Sequence, residues 1–248
     1  MARTTSKKRM TEAEEQFFTD LPQQGPGSDY ETLKALAYVR QGLQRDSHIL
    51  NIGCGTGRDT FCLADHTDAA ITAVDRSARF IEKLKSLRGK RSVTALCADC
   101  REAGLQAGSY DAVWSEGAAR HLGFAEAVRQ WHPLVRPKGF LVLTDLVFMG
   151  RHYPYEVGYF KKIYPQMSAL SASVAILEAE DFRPIATFPL SEQAWMPCFY
   201  DIIERRLPQF ERKYPEEKTF VRTLRKEIQL RRDFAEYYNM VFFVAQKI

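Results

Sequence analysis

Gly53-Cys54-Gly55-Thr56-Gly57 closes an apolar run (His48, Ile49, Leu50, Ile52) and opens a helix-like segment within HILNIGCGTGRDTFCLA, residues 48–64. A strand that turns on packed glycines into a helix sets bare backbone N–H groups beside a ligand. Only glycine tolerates both the positive φ angles and the close approach that such a turn needs. A second apolar run, Ala70-Ile71-Thr72-Ala73-Val74, ends in Asp75. That is where a β-α-β nucleotide site puts an acid for ribose hydroxyls. The chemistry implied is capture of a nucleoside-bearing cofactor.

Such a site needs a sheet to position it, and the chain supplies the pattern. Strand-like runs fall at 48–52, 70–74, 92–98, 110–114 and 139–144, with helix-like segments at about 58–65, 77–88 and 123–135. Alternation of this kind implies crossover connections and a parallel sheet. Residues 145–165 read as a loop with short helical pieces, followed by a helix at about 166–179, a strand near 184–189 and a charged amphipathic stretch at 191–234. The β-prone run 237–245 closes the chain. A last strand reached through a long insertion can enter the sheet antiparallel without breaking the crossover rule. The expected fold is therefore α/β and doubly wound, with a mostly parallel seven-stranded sheet, an antiparallel last strand and a helical insertion before it. Upstream, 11–46 reads as two helical parts broken at Leu21–Ser28, where Ser28 and Glu31 spell a capping box. Residues 1–10 read as a disordered tail, 11–46 as an N-terminal helical lid, and 47–248 as the cofactor-binding domain, with a cap at about 191–234.

Bulk properties exclude several classes. The chain has 248 residues and a formal charge of +4 from 35 basic and 31 acidic side chains, too mild to argue for nucleic acid. No apolar run approaches the roughly 20 residues that span a bilayer, and Met1–Arg9 is basic without a signal-like apolar segment. An odd cysteine count, 5, fits a reducing compartment, and a cytoplasmic location is expected. Cys97-Ala98-Asp99-Cys100 spells CxxC, but no second pair follows, and no metal site is expected.

The glycine spacing decides between nucleoside cofactors. NAD enzymes use G-x-G-x-x-G, with the third glycine packing helix on strand. Here the spacing is G-x-G-x-G with Arg58 next. This tighter form resembles the first motif of class I S-adenosylmethionine (SAM) methyltransferases. The resemblance runs through residues 48–145. It implies that Asn51, Gly53, Cys54, Gly55, Thr56 and Gly57 hold the cofactor, that Asp75 with Arg76 meets the ribose, and that Ala98, Asp99 and Cys100 meet the adenine. Ser109–Gly117 is similar to the family's fourth-strand motif, and Leu134–Leu141 to the turn before strand five, with Lys138 in place of a glycine. Asn51 departs from the usual Asp or Glu and brings no charge toward the cofactor's ammonium. A finer resemblance, to bacterial small-molecule methyltransferases of the type 11 group, rests on Gly25-Pro26-Gly27-Ser28 with Thr32-Leu33, and on Ser115–Ala119 with Leu122-Gly123-Phe124. It implies that Gly27 and Ser28 belong to a lid folded over the cofactor.

Methyl transfer from a sulfonium is an in-line displacement, governed by alignment and desolvation, with a base where the nucleophile carries a proton. Glu116 is the first candidate, as base, as clamp on an amine substrate or as ligand of the cofactor's ammonium; His121 is the second. Tyr30, Tyr153, Trp195 and Tyr200 flank the segments expected to roof the site and can hold a cation or fill a core. The basic run Arg222–Glu227 with Arg231-Arg232 reads as a solvated helix face. The expected activity is methyl transfer to nitrogen or oxygen of a small molecule, by a monomer or homodimer, with no nucleic-acid or membrane partner. The alternatives are an RNA or protein methyltransferase and a non-catalytic SAM-binding module, with an NAD oxidoreductase as the outsider.

Overall fold

The computed structural model describes residues 10–248. The tail expected at 1–10 lies, but for Met10, outside the described residues. The seven strands are β1 (His48–Ile52), β2 (Ala70–Asp75), β3 (Val93–Cys97), β4 (Tyr110–Glu116), β5 (Val135–Phe148), β6 (Phe182–Pro189) and β7 (Tyr238–Lys247). They form one sheet in the order β3-β2-β1-β4-β5-β7-β6, parallel from β3 to β5 and antiparallel at both edges of β7. The order reverses between β1 and β4. In an open α/β sheet, that switch point leaves a crevice at the strands' carboxyl ends.

Strand alternation divides the core. Ile49, Ile71, Ala112, Trp114, Val142 and Phe242 face one side, while Leu50, Val74, Val113, Leu141, Leu143 and Phe243 face the other. The first side carries α1 (Glu12–Thr19), α2 (Asp29–Val39), α3 (Arg58–His66) and α4 (Ala78–Leu87). After the short α5 (Ala119–Leu122), α6 (Phe124–Trp131) covers the second side; α7 (Gly158–Ile163) follows β5, and α8 (Leu170–Ala179) packs beside α6. Between β6 and β7, α9 (Glu192–Trp195), a π-helical turn at Met196–Tyr200, α10 (Asp201–Lys213) and α11 (Lys218–Phe234) return to the first side.

Local chemistry moves several boundaries. The segment expected to be helical to 135 stops at Trp131, because Pro133 has no N–H to donate and Val135 pairs with Tyr110. β5 outruns the expected 139–144 because β7 pairs with it from Phe140 to Phe148. The helix expected from 166 starts at Leu170, since Phe148 N donates to Ser168 O (3.0 Å) and ties that stretch to β5. Lys138 adopts φ 62, the left-handed conformation that a glycine would take without strain. The Ser28 capping box does not form: Ser28 starts α2, but its hydroxyl donates to the Glu31 carboxylate, which also accepts from Ser191 N (3.2 Å) at the start of α9.

α1 is locked to both neighbours. Phe17 and Phe18 meet Phe220 edge-on, and Phe17 meets Phe210 at 4.9 Å between centroids. Each such aromatic pair contributes about 0.5–1.5 kcal/mol beyond its burial. On the other side, the Ser77 hydroxyl donates to Glu15 (2.6 Å) and Arg79 to Gln16 (2.9 Å). The N-terminal helices, α10 and α11 thus share one hydrophobic core beside the switch point.

Candidate functional site

The glycine turn is fixed by its own backbone and by Asp75. Gly53, Gly55 and Gly57 stand at φ 72, 53 and 103. A Cβ on Gly53 would lie 2.3 Å from the Ala118 methyl, and one on Gly57 2.8 Å from the Phe61 ring. Gly53 N and Cys54 N both donate to Val74 O, at 2.8 and 3.2 Å. Asp75 then braces turn and helix together: Oδ2 accepts from Gly55 N (3.0 Å) and Oδ1 from Ser77 N (2.9 Å). Each oxygen keeps a lone pair for a ligand hydroxyl. Burial pushes the Asp75 carboxyl up, against the pull of those two backbone donors. Thr56 is buried and Arg76 exposed.

The N-terminal segment reaches into this turn. Gln24 Oε1 accepts from Thr56 N (2.8 Å) and Thr56 Oγ1 (3.2 Å), while its Nε2 donates to Phe18 O (3.0 Å). A Cβ on Gly55 would stand 2.3 Å from that Oε1, so glycine there serves this contact. Gln23 Nε2 donates to Gly25 O and Gly27 O, and Gly27 N donates to Ala194 O (3.2 Å), tying the segment to α9.

Glu116, the first catalytic candidate, is already engaged. Its Oε1 accepts from Thr32 Oγ1 (2.8 Å) and Trp114 Nε1 (2.9 Å), and its Oε2 pairs with the Arg58 guanidinium. Arg58 also donates to Thr32 Oγ1 (2.8 Å) and faces Asp29 at 3.5 Å. Gly27 leaves room for this pair, since a Cβ there would approach Arg58 to 3.0 Å. Asp59 lies beside it. Burial, and then the Glu116 charge, push its carboxyl up to about 7, against Arg58 and the hydrogen bonds from Asn51 and Thr60. Asn51, fully buried, donates through Nδ2 to Asp59 (3.0 Å) and Thr60 (2.9 Å), and its Oδ1 has no hydrogen-bond partner. Three carboxylates thus surround one guanidinium at the foot of the glycine turn, an excess of negative charge.

Past β3, Asp99 grips the Arg101 side chain (2.8 and 2.6 Å) and its backbone N–H (3.0 Å). That pairing holds its carboxyl down at about 2. Ala98 N donates to Asp75 O (3.0 Å), joining the ends of β2 and β3, and Cys100 follows, partly exposed.

A cavity of about 180 Å³ opens between the N-terminal segment, α5, α7 and the helices before β7, with Leu146 of β5 and Met240 of β7 at its floor. Trp195 and Tyr200 line it, as do Gln24 and Pro26. Tyr30 and Tyr153 do not: Tyr30 is 69% exposed, and Tyr153 stacks on Phe148 at 4.1 Å. His121 is exposed on α5, where its neighbour Arg120 forms part of the wall. Ser28 points at Glu31.

The residues that sequence reasoning passed over are Gln24, Arg58, Asp59, Arg120 and Glu227. Glu227 sits in the run expected to be a solvated face; Arg222, Arg225, Lys226 and Arg232 are exposed as expected, whereas Leu224 and Arg231 are buried and Glu227 is half-buried. Arg231 is 3% exposed and donates to Glu192 (3.1 Å) and Tyr238 O (3.3 Å), with its guanidinium 4.4 Å from the Trp195 ring. Glu227 lines the cavity and accepts from Tyr200 OH at 3.4 Å. Burial pushes its carboxyl up, offset in part by Arg120 and by Tyr200. The apolar stripe Val221, Leu224, Ile228 on α11 was the available signal, because it sets Glu227 at the margin of the buried face.

Residues 50–143 match a protein family described as a methyltransferase domain. A Penicillium expansum protein, O-methyltransferase cnsE, is 32% identical over 114 residues, covering 44% of this chain and 41% of that protein. Phosphoethanolamine N-methyltransferase 3 of Arabidopsis thaliana is 27% identical over 106 residues, covering 42% of this chain and 22% of its own length. The matches thus span less than half of either relative. Among solved structures, a SAM-dependent methyltransferase from Geobacter sulfurreducens in complex with S-adenosyl-L-homocysteine superposes with a TM-score of 0.80, covering 96% of this chain and 99% of that one at 15% identity.

Proposed function

We propose that this chain, which carries a class I SAM-dependent methyltransferase domain, binds SAM at its glycine turn and transfers the methyl group to nitrogen or oxygen of a small molecule held in the adjoining cavity. The residues present fit that cofactor. Asp75 keeps free lone pairs beside the turn for ribose hydroxyls. The buried, unpartnered Oδ1 of Asn51 offers an acceptor for the ammonium. The negative excess around Arg58 suits a ligand with two cationic centres and one anionic one. When bound, the cofactor supplies an electrophilic methyl group. Everything else falls to the chain.

One observation carries this reading: Gln24 touches the glycine turn through Thr56 and also forms part of the cavity wall. Donor and acceptor sites therefore abut at one side chain. An acceptor bound against the aromatic walls would displace water from the cavity, which strengthens the charge interactions inside it. Glu116, held by three donors, positions Arg58 and the end of β4, with no proton acceptance required of it. His121, exposed on α5, has no role in this scheme. The cavity's size favours a small acceptor: about 150 Å³ is enough for one benzene ring.

The test is calorimetry of SAM and S-adenosylhomocysteine on the full chain and on Asp75→Ala. Loss of the paired charge-assisted hydrogen bonds should weaken binding by roughly 2–3 kcal/mol, about 30- to 150-fold. An unaltered chain that binds neither ligand, or an Asp75→Ala variant that binds both as well as the parent, sinks the reading.

A further inference from the structure

We propose that Glu227 anchors the methyl acceptor and that the acceptor is a small amine, no larger than about one substituted ring, methylated on its nitrogen. The inference rests on the methyl-transfer reading above and adds the substrate class.

The cavity of about 180 Å³ has two kinds of wall. Phe18, Phe160, Trp195, Phe199 and Phe220 bring aromatic rings from separate parts of the chain. Ring faces attract cations, and those around this core already do so: Arg231 lies over Trp195 at 4.4 Å and Lys226 over Tyr159 at 4.2 Å. Against the rings, α11 presents Thr223, Leu224 and Glu227. The hydrogen bond to Glu227 comes from Tyr200 OH at 3.4 Å, a long contact that leaves most of the carboxylate's acceptor capacity unused.

An enclosed carboxylate with so little hydrogen bonding is costly to keep unless a ligand completes it. Arg120 lines the same cavity, and its charge offsets part of that cost. A carboxylate within an aromatic box selects a ligand that is positively charged, rich in N–H donors and apolar elsewhere. An ammonium group meets all three conditions, whereas a hydroxyl brings one donor and no charge.

The proton account follows. The acceptor enters as R–NH3⁺ and gives one proton to the Glu227 carboxylate, which burial has made more basic than usual. The freed nitrogen lone pair forms the new N–C bond. The methyl carbon's bond to sulfur breaks with its electron pair left on sulfur, neutralising the sulfonium. The product is R–NH2⁺–CH3, and the proton on Glu227 passes to solvent when the cavity opens.

The experiment titrates the full chain, saturated with S-adenosylhomocysteine, with benzylamine and phenethylamine, and with phenethyl alcohol and phenylacetate as controls of similar size. The amines should bind at least tenfold more tightly than the alcohol or the carboxylate, and turnover with SAM should release S-adenosylhomocysteine with the amines alone. Glu227→Gln, nearly isosteric, should weaken amine binding about 30-fold while S-adenosylhomocysteine binds within twofold of the parent, which also reports an intact fold. The proposal is overturned if the alcohol or carboxylate matches the amines, if no amine binds to protein that binds S-adenosylhomocysteine, or if Glu227→Gln binds amines like the parent. The comparison among ligands uses the unaltered chain and stands even if the variant does not fold. Failure of the parent to bind S-adenosylhomocysteine condemns the methyl-transfer reading instead, so the two failures are distinct.

Discussion

The two ends of the crevice are built in different ways. The end at the glycine turn comes from short contiguous pieces, residues 53–57 and 75–77, whose groups are mostly backbone N–H donors and one carboxylate that braces them. The cavity end draws Phe18, Arg120, Phe160, Trp195, Phe220 and Glu227 from across the chain. The first can be specified by local conformation, because a positive φ at three glycines already aims the donors. The second exists only once α1, α5, α7, the turn at Trp195–Tyr200 and α11 have packed. A backbone-built site tolerates change around it but not within it; a packing-built site can change its ligand by altering a few side chains.

Four variants test that contrast, beginning with the largest effect. Glu116→Ala should be the most damaging to stability, since it removes the closest anionic partner of the buried Arg58 and leaves Trp114 Nε1 without its acceptor. Breaking a buried pair costs about 3–5 kcal/mol, so the melting temperature should fall by roughly 10 °C. An unchanged melting curve would show that Glu116 is no structural pillar. Phe199→Ala, in the cavity wall, should cost about 3 kcal/mol as measured by denaturant titration. Cofactor affinity should stay within about threefold, because Phe199 touches only the second end; a large loss would merge the two ends into one site.

Gly55→Ala should do the reverse. Its Cβ would strike Gln24 Oε1, and its φ of 53 is strained for alanine, at about 1–2 kcal/mol. Calorimetry should find S-adenosylhomocysteine binding weakened about tenfold, with amine binding to the loaded protein weakened less, through the displaced Gln24 in the cavity wall. The smallest effect is Asp59→Asn. The folded chain raises this carboxyl from 3.8 to about 7, so the folded state holds the proton more tightly than the unfolded one. The stability this gives is full below pH 4 and is lost as pH rises through 7. Asp59→Asn escapes that loss, so its melting temperature should exceed the parent's at pH 8, the gap shrinking to almost nothing at pH 4. Equal gaps at the two values would remove Asp59 from the charge account.

The same contrast explains what could be read from the residues alone. The strand ends, the glycine turn and the β-prone closing run are local patterns, and a mostly parallel seven-stranded sheet with an antiparallel last strand was legible in them; the order of the strands was not. Lys138 stands where a glycine was expected and keeps the glycine's conformation, so the turn survives the change of residue. Glu227 and Arg231 were illegible for the opposite reason. Charges between Leu224 and Arg232 suggest a wet helix face, which Arg225, Lys226 and Arg232 keep, while the packing of Trp195 and Tyr238 against Arg231 dries that one position. Glu31 was misread likewise: its spacing from Ser28 spells a local cap, while its carboxylate serves Ser191, far along the chain.

Among the described residues, Gln24 is the one side chain that both touches the glycine turn and lines the cavity, and a thermodynamic consequence follows. A ligand that displaces its carboxamide from Thr56 also reshapes the cavity, and an occupant of the cavity biases what the carboxamide does at Thr56. Linkage requires these influences to be equal: whatever factor the first ligand applies to the affinity of the second, the second returns to the first. A single amide would thereby set the sign and the size of the cooperativity between two substrates.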